Sequence, residues 1–319
     1  MILTVTLNVA IDRTVAVPNF RQGHRHRAVE SRTVAGGKGI NVARALALLG
    51  RPVVAAGLAG GPTGQRLIEE LAEEAILADF TPIAEESRIN LAVVDPTSGE
   101  QTEINERGPE VTAEEVDAFV ERLDYLARGA RICVLAGSLP PGVDAELYAR
   151  VTKDLRERGV TVLLDAEGEA MRAGVRAGPS VITPNVLEAE ELVGNEFEGP
   201  ADVAAGLAQL LELGAGEAAI TRPDGCVAAL GENSDRAYYE VFTEPLEPIA
   251  AVGSGDAFLA GFVAARYDGA SPQECLAYAV ACGAESTQHF GAGAIDPERV
   301  EGILADVEVR DLEVPVEVS

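Results

Sequence analysis

The stretch Ala251-Val252-Gly253-Ser254-Gly255-Asp256-Ala257-Phe258-Leu259-Ala260-Gly261-Phe262 carries the strongest structural signal in the chain, a Gly-Ser-Gly turn that runs into an apolar helix. Backbone N–H groups at a helix N-terminus bind anions with help from the helix dipole, and small residues let the backbone approach the anion closely. We therefore predict an anion hole at Gly253, Ser254 and Gly255. Asp256 would stand beside it, placed to take a proton from an attacking hydroxyl. The alternative is that Asp256 only complements the helix dipole.

A second glycine-rich stretch, Gly36-Gly37-Lys38-Gly39-Ile40-Asn41, also leads into an amphipathic helix. Gly37 would let a polyol approach the backbone, and Asn41 can bond both a donor and an acceptor of a sugar. Lys38 can meet a phosphate. The alternative is a glycine-rich turn with a solvated lysine, which is weakened because Lys38 and Lys153 are the only lysines of the chain.

Around these stretches, apolar runs of strand length alternate with helical patterns. The predicted strands are residues 2–8, 53–57, 131–136, 161–165, 180–183 and 218–221. The predicted helices lie near residues 39–49, 64–75, 113–128, 144–158, 186–193, 201–213, 256–267, 272–289 and 297–305. Strands that are apolar on both faces and alternate with helices indicate an α/β fold: a doubly wound, mainly parallel sheet with helices on both faces.

Two segments, 13–35 and 87–106, break this alternation. Their patterns, such as Thr14-Val15-Ala16-Val17, are typical of half-exposed antiparallel strands. Inserted in a parallel body, they predict a small β-sheet lid over the carboxyl edge of the larger sheet, where ligands bind in open α/β folds. A lid with one apolar face would also suit a dimer surface. The α/β domain would then comprise residues 1–12, 36–86 and 107–319.

The composition excludes several classes of protein. The 319 residues are 47% hydrophobic and 4% aromatic with 33 glycines, which is typical of layered α/β proteins and excludes a disordered chain. The 52 acidic and 25 basic residues give a net charge of −27, which repels nucleic acid and anionic lipid surfaces, so neither is an expected partner. The acids spread over predicted helix faces, as at Glu69-Glu70 and Glu114-Glu115. This resembles adaptation to high salt, with an ordinary acidic cytosolic protein as the alternative.

Neither a membrane span nor a metal or disulfide framework is expected. No apolar run reaches 18 residues, and the opening Met1-Ile2-Leu3-Thr4-Val5 lacks a basic region and is typical of a strand. The four cysteines are far apart with no Cys-x-x-Cys pair, and the three histidines form no metal-spaced cluster. We therefore expect reduced core thiols and a cytoplasmic location.

Residues 21–32 form a dense basic stretch within the proposed lid. Its basic residues are Arg21, His24, Arg25, His26, Arg27 and Arg32. A positive patch on an acidic protein suits a phosphorylated substrate, because arginine binds phosphate through two parallel hydrogen bonds. As a strand, the stretch would point Arg25 and Arg27 to one face and the histidines to the other. The alternative is a solvated edge strand protected by its charge.

The two glycine-rich stretches together resemble the two signatures of the ribokinase-like (PfkB) family of sugar kinases. The similarity extends over nearly the whole chain, through residues 3–8, 10–12, 87–90, 137–142 and 184–188. Within the family, the chain is most similar to the 1-phosphofructokinase branch, which includes tagatose-6-phosphate kinase and the minor 6-phosphofructokinases. The resemblance implies a ribokinase-like fold, usually dimeric through the lid. It also implies transfer of a phosphoryl group from ATP, with Mg²⁺, to a phosphorylated ketohexose. Fructose 1-phosphate is favoured, with fructose 6-phosphate and tagatose 6-phosphate as alternatives.

The resemblance also implies a role for each matching residue. Asp256 would be the general base on the accepting hydroxyl, and the 253–255 turn would be the anion hole for the transferring phosphoryl group. The substrate would be held by Asp12, Gly37, Lys38, Asn41, Arg88 and Ser138, with Lys38 and Arg88 on its phosphate. Arg27 is a further candidate for substrate binding, from the basic stretch and not from the resemblance. The nucleotide would contact Asn185, Thr221 and Gly225, and Glu188 would act on the magnesium ion through water.

The chain departs from the family pattern at three places. Thr183 stands where the family usually has lysine before Pro-Asn, so a cationic contact near the nucleotide is lost. The usual Ser-Leu-Gly-x-x-Gly nucleotide loop appears as Thr221-Arg222-Pro223-Asp224-Gly225, one residue short and without its first glycine. Ala251 stands where ribokinase-like members often have aspartate, a change that the phosphofructokinase branch commonly shares.

Two rival interpretations come from other classes. A nicotinamide-dependent dehydrogenase would need Gly-x-Gly-x-x-Gly after the first strand, and this chain has Asn8-Val9-Ala10-Ile11-Asp12 there. A P-loop of the form Gly-x₄-Gly-Lys-Ser/Thr is also absent from the sequence. The non-enzyme alternative is a sugar-phosphate binding protein that kept the fold and lost catalysis. The altered 221–225 loop and Thr183 favour it, and the intact 253–256 segment opposes it.

Overall fold

A ten-stranded sheet forms the centre of the molecule, as seen in a computed structural model that describes residues 1–231, 235–244, 246–250, 252–289 and 291–312. Its strands lie in the order β14-β13-β12-β11-β10-β9-β8-β1-β4-β5. Their bounds are β1 (Ile2–Thr6), β4 (Val53–Gly60), β5 (Leu77–Ile83), β8 (Ile132–Ala136), β9 (Thr161–Asp165), β10 (Val181–Ile182), β11 (Glu217–Arg222), β12 (Gly225–Leu230), β13 (Ala237–Phe242) and β14 (Glu308–Asp311). All neighbours from β5 to β11 pair in parallel, and β11 to β14 pair antiparallel.

Helices cover both faces of this sheet, so the predicted doubly wound, mainly parallel architecture is confirmed. The helices are α1 (Lys38–Leu48), α2 (Gly61–Glu73), α3 (Ala113–Ala127), α4 (Leu147–Glu157), α5 (Gly168–Arg176), α6 (Val186–Val193), α7 (Pro200–Glu212), α8 (Ser254–Asp268), α9 (Pro272–Ser286) and α10 (Pro297–Leu304). One hydrophobic core joins the sheet to α1, α2, α8, α9 and α10, and the other joins it to α3, α4, α5, α6 and α7. Neighbouring strand residues such as Ile2 and Leu3 alternate between the two cores, as expected where both faces are buried.

The chain order reverses beside β1, which lies between β8 and β4. In open α/β sheets the carboxyl edge at such a switch point is where ligands bind. Helix α8 reaches this region and packs against α1 and α9. It is buried nearly all round because its sequence is apolar on every face.

A second, four-stranded sheet has the order β3-β2-β6-β7, with bounds β2 (Ala10–Ala16), β3 (Glu30–Gly36), β6 (Arg88–Val94) and β7 (Gln101–Ile104). It contains the two segments that the sequence analysis set apart, and it starts slightly earlier, at Ala10. Pairing is antiparallel within each segment, as predicted, but β2 and β6 pair in parallel. The sheet is therefore mixed, because α1, β4, α2 and β5 intervene and return the chain to the same end.

The prediction that the basic stretch forms a strand is wrong for residues 21–29, while Arg32 lies in β3. Residues 17–29 form the loop between β2 and β3, so period-two alternation does not place Arg25, Arg27 and the histidines on opposite faces. Asn19 and Gly23 have positive φ angles of 54° and 82°, which turn the backbone out of the extended conformation. The Asp95 carboxylate accepts hydrogen bonds from the N–H groups of Asn19 and Phe20 and fixes the first turn.

The four cysteines are buried free thiols, as expected. In the described part of the chain, no helix has the length and apolar character needed to cross a membrane. Among the same residues, no group of three or more His, Cys, Asp or Glu side chains is placed to hold a metal ion.

Candidate active site

A cleft of about 740 Å³ lies between the carboxyl edge of the larger sheet and the smaller sheet. It brings together residues that the sequence analysis selected from all parts of the chain. The selected residues that line it are Asp12, Gly37, Lys38, Asn41, Arg88, Asn185, Glu188, Thr221, Gly253, Gly255 and Asp256. The cleft is thus built by both glycine-rich stretches and roofed by the smaller sheet.

The Gly253 turn begins α8 at the floor of the cleft. Gly253 adopts φ 84° and ψ 4°, a left-handed conformation that favours glycine, and a Cβ built there would lie 2.5 Å from the Cβ of Ala292. At Gly255, by contrast, no atom of the described residues lies within 4 Å of the Cβ position. The N–H groups of the first helical turn have no intrahelical partner, so this end of α8 has the form of an anion site, with Ser254 as its first helical residue. Ala251 lies outside the described residues.

Asp256 is buried in the first turn of α8, with 7% of its surface exposed. Its Oδ2 accepts a hydrogen bond of 2.8 Å from Nδ2 of Asn41. Burial and the nearby Asp165 carboxylate raise the pKa of Asp256 to about 7, while the Asn41 hydrogen bond opposes the rise. A carboxylate with a pKa near neutrality is an effective general base.

We expect turnover to depend on pH through Asp256. Because only the ionised carboxylate accepts a proton, kcat should fall about tenfold per pH unit below the pKa of about 7. The free energy of unfolding should change with pH in the opposite direction to kcat. A carboxyl whose folded pKa lies above its ordinary value binds more protons in the native state, so the free energy of unfolding declines as pH rises from about 4 to about 7. A pH–rate profile and denaturation midpoints over the same range measure both effects.

The Asn41→Ala variant provides the control for this profile. Asn41 lowers the pKa of Asp256 by its hydrogen bond, so its loss should move the acid limb of the profile to higher pH. A limb caused by the second ionisation of a sugar phosphate, near pH 6, would stay in place. A limb unmoved by this substitution would show that another group titrates.

Lys38 lies among carboxylates at the side of the cleft. Its Nζ is 3.0 Å from Oδ1 of Asp165, 3.8 Å from Oε1 of Glu188 and 3.9 Å from Oε1 of Glu167. Burial alone would lower the pKa of the ammonium, but Asp165, Glu188 and Asp256 outweigh burial and raise it, so Lys38 stays charged. The side chain expected on a sugar phosphate thus also neutralises an acidic group in the cleft.

The Asn-x-x-Glu segment is a capping box at the start of α6. Asn185 Oδ1 accepts from the N–H of Glu188, and Glu188 Oε2 accepts from the N–H of Asn185, each at 2.9 Å. Burial raises the pKa of Glu188, with Lys38 opposing the rise. Thr221 at the end of β11 donates its N–H to the Pro184 carbonyl at 2.9 Å, so the two expected nucleotide contacts, Asn185 and Thr221, are neighbours.

Gly225 has a structural position in the hairpin between β11 and β12. It pairs with Arg222 across a turn of two residues, and a Cβ at Gly225 would lie 2.0 Å from the Val241 carbonyl oxygen. Gly225 is not among the residues that line the cleft. The shortened 221–225 segment is therefore a tight strand turn, and Thr221 alone of its selected residues reaches the cleft.

Asp12 and Arg88 belong to the smaller sheet, Asp12 in β2 and Arg88 at the start of β6. Asp12 Oδ1 accepts from Asn90 Nδ2 at 2.9 Å, and burial raises the pKa of Asp12. Arg88 donates to the Glu106 and Asn8 carbonyls at 2.8 and 3.1 Å, and burial lowers its pKa. Its buried Nε has no hydrogen-bond partner among the described residues, which leaves a cationic donor for a ligand.

A smaller cavity of about 540 Å³ adjoins the cleft and shares Arg88 and Glu167 with it. Ser138 lines this cavity together with Arg107. The Ser138 hydroxyl accepts from Asn8 at 3.2 Å, which leaves its proton to donate. Arg27 is exposed in the 17–29 loop and lies outside the lining of both cavities.

Sequence reasoning missed several residues that the fold brings to the site. Asp165, Glu167 and Asn90 line the cleft, and Arg107 lines the smaller cavity. A signal existed for Asp165, since it is a charged residue at the carboxyl end of a buried parallel strand. Arg107 lies in a loop without regular structure, and it makes no ion pair with any described residue.

The chain is similar to known proteins over nearly its whole length. The chain matches the model of the pfkB family carbohydrate kinases over residues 4–299. It is 32% identical to a 1-phosphofructokinase of Rhodobacter capsulatus, over 98% of each chain. It is 29% identical to a tagatose-6-phosphate kinase of Staphylococcus epidermidis, over 98% of this chain and all of the relative.

The fold matches solved structures equally well. Phosphofructokinase-2 of Escherichia coli in complex with substrates and products superposes with a TM-score of 0.89 at 29% identity, over 95% of this chain and 98% of that one. The same enzyme has a tetrameric inhibited form. On the family match and the near full-length relatives, the chain belongs to the pfkB family of carbohydrate kinases and is a phosphotransferase.

Proposed function

We propose that the protein transfers the γ-phosphoryl group of ATP to the free hydroxymethyl group of a phosphorylated ketohexose, with fructose 1-phosphate as the preferred acceptor. The observation that carries the proposal is the buried Asn41–Asp256 hydrogen bond beside the Gly253 turn. This bond links Asn41, whose amide is suited to bind sugar hydroxyls, with Asp256, a carboxylate whose pKa is near 7. Asp256 itself lies at a helix N-terminus, where anions bind.

In the proposed reaction, Asp256 accepts the proton of the C6 hydroxyl of fructose 1-phosphate. The hydroxyl oxygen forms a bond to the γ-phosphorus as the bond from that phosphorus to the bridging oxygen breaks, and ADP leaves. The 253–255 amides stabilise charge on the transferred group. The products are fructose 1,6-bisphosphate and ADP.

The acceptor would lie between the floor of the cleft and the smaller sheet. Asp12 of the smaller sheet and Gly37 and Asn41 at the start of α1 all line the cleft and would hold sugar hydroxyls. Arg88 and Ser138 would hold the sugar phosphate with Lys38. Arg88 supports this assignment because it lines both cavities and has a buried, unpaired Nε. The smaller cavity adds Arg107, a further cation that the phosphate could contact.

The nucleotide would lie along Asn185 and Thr221. Asp165, Glu167 and Glu188 gather around Lys38, and their three negative charges against one positive charge fit a divalent cation that arrives with the nucleotide. Among the described residues no group of three or more His, Cys, Asp or Glu side chains is placed to hold a metal ion, and we propose that Glu188 contacts the ion through water. Mg²⁺ would there neutralise phosphate charge when bound.

We propose that two copies of the chain associate through the smaller sheet. Its exposed apolar side chains support this, with Ile89 43% and Ile104 58% exposed. We also propose that the enzyme works in the cytoplasm, because its four cysteines are buried free thiols. High salt is proposed because acids such as Glu69, Glu73 and Glu114 lie exposed on the helices of a chain of net charge −27.

The non-catalytic alternative rests on Thr183 and on the shortened 221–225 segment. Thr183 lines the cleft, so the loss of a lysine there removes a charge from the proposed nucleotide path. The buried Asp256 and the left-handed Gly253 oppose this alternative, since a binding protein needs neither.

The test is ATP-dependent ADP release by purified protein in molar KCl with Mg²⁺. Fructose 1-phosphate, fructose 6-phosphate, tagatose 6-phosphate, fructose and 2-keto-3-deoxygluconate are compared. We expect kcat/KM to be highest with fructose 1-phosphate. A preference for a 6-phosphate would keep the chemistry and replace the substrate. No turnover by folded protein that still binds a sugar phosphate in calorimetry would support the non-catalytic alternative.

A further inference from the structure

A buried carboxylate outside the cleft, that of Glu285 near the end of α9, has no exposed surface. The Nε2 of His289 lies 2.8 and 3.0 Å from its two oxygens. The N–H of Asp296 donates to Oε2 at 3.0 Å, and Nε of Arg299 lies 3.7 Å from Oε1. A carboxylate buried this deeply is stable only when donors satisfy it, so Glu285 ties the end of α9 to the start of α10.

The segment that Glu285 holds, residues 291–296, is the wall behind the proposed anion hole. Ala292 packs so closely on Gly253 that a Cβ there would lie 2.5 Å away. Gly293 lies against Asn41, since a Cβ at Gly293 would be 2.7 Å from the Asn41 carbonyl oxygen. Arg44 donates to the Ala292 carbonyl at 3.3 Å. This segment therefore contacts both the turn and the residue that bonds Asp256.

The same end of α9 also holds the chain that leads into the turn. The Thr287 carbonyl accepts from the N–H groups of Ile249 and Ala250 at 2.8 and 3.0 Å. Nε2 of Gln288 donates to the Glu247 carbonyl at 3.0 Å. The chain that enters the Gly253 turn is thus attached within a few residues of Glu285, and the 291–296 segment packs on the turn itself.

We propose that Glu285 is a positioning residue for phosphoryl transfer, which sets the Gly253 turn and Asp256 by anchoring residues 291–296. This inference rests on the proposed kinase function. Donors aimed at a developing charge must be held in place before the reaction, and displacements of about 0.5 Å are enough to weaken them. Glu285 would reach the reacting atoms only through the wall that it anchors.

The test compares Glu285→Gln with Glu217→Gln at a temperature where both variants and the wild type are fully folded. The glutamine side chain has the same shape as glutamate, but an NH₂ donor replaces one of its two acceptor oxygens. That donor would lie among the His289, Asp296 and Arg299 groups that already point donors at Glu285. We expect kcat to fall at least about tenfold, with the KM of the sugar phosphate within about twofold. Glu217 is the matched control because its side chain is only 12% exposed and is bonded to Gly231 and Arg266, at the other end of α8. Its variant should lose stability but keep kcat.

A second readout does not depend on activity. Hydrogen exchange of amides in 291–296 and 252–257 should accelerate in Glu285→Gln and stay unchanged in Glu217→Gln. Should Glu285→Gln fail to fold, His289→Asn removes one donor from the same carboxylate, and should lower kcat less with KM unchanged. An equal kcat in wild type and Glu285→Gln, a fall matched by Glu217→Gln, or a parallel rise in KM would overturn the proposal. An inactive wild type would instead refute the kinase function, while the exchange data would still report on the anchor.

Discussion

Asp256→Asn is expected to lower kcat by at least ~10²-fold, the scale on which general-base catalysis contributes, while the affinity for the sugar phosphate is retained. The asparagine has nearly the same volume, and the Asn41 amide that donates to Oδ2 at 2.8 Å can still bond a side-chain oxygen. The substitution therefore removes the proton acceptor and little else. Steady-state turnover and calorimetric binding of fructose 1-phosphate measure the two quantities separately.

Asp268→Asn is the matched control, because Asp268 is an exposed carboxylate at the far end of α8 that pairs with Arg51. Its loss should leave kcat unchanged, since an exposed ion pair contributes little to stability and lies away from the cleft. Should Asp256→Asn turn over within threefold of the wild type, another group must accept the proton, and the role assigned to Asp256 would be withdrawn.

Gly253→Ala should be nearly as damaging as loss of the base. The new Cβ would lie 2.5 Å from the Ala292 Cβ and 2.7 Å from its Cα, and the residue would have to hold φ 84°. Either the turn or the 291–296 wall must move, which misplaces the amides of the anion hole. Loss of one such donor costs roughly 10²-fold in kcat, and we expect a fall of that order together with a lower melting temperature.

Gly269→Ala separates backbone strain from the clash. Gly269 ends the same helix with φ 83°, and no atom of the described residues lies within 4 Å of its Cβ position. This variant should lose about 1 kcal/mol of stability from the left-handed conformation and keep its turnover. Equal losses of kcat in the two variants would show that strain in α8, and not the geometry of the turn, limits the reaction.

The layout of the larger sheet could be predicted because its central strands are apolar on both faces and alternate with amphipathic helices. The elements that were missed have weaker patterns. Strand β5 (Leu77–Ile83) lies at the sheet edge, is mostly half-exposed and contains Pro82, all of which weaken a strand prediction. Helix α5 (Gly168–Arg176) is short and rich in Gly and Ala. Strands β12 and β13 pair antiparallel after the parallel repeat has ended.

For the candidate site too, features set by a short stretch of sequence could be predicted, and features set by contacts between distant residues could not. The Gly253 turn and the Gly37 loop are local motifs, so the sequence predicts both, and the structure places them across one cleft. Three other features of the site depend on tertiary packing. They are the carboxylates around Lys38, the burial that raises the pKa of Asp256, and the presence of Arg107 in the lining of the smaller cavity. Spacing along the chain carries no information about them.

The hydrogen bond between Asn41 and Asp256 joins residues 215 positions apart. At roughly 5–20 residues per second of synthesis, Asn41 leaves the ribosome some 10–40 s before its partner is made. Throughout that interval α8 is absent, so the surface of α1 that packs on α8 in the folded protein stays uncovered. A truncated or nascent chain can therefore contain Asn41 and the Gly37 loop and still lack the carboxylate that Asn41 bonds in the folded protein. The contact between these two residues can therefore form only after residue 256 of the 319 has been made, so α1 and α8 pair late in synthesis.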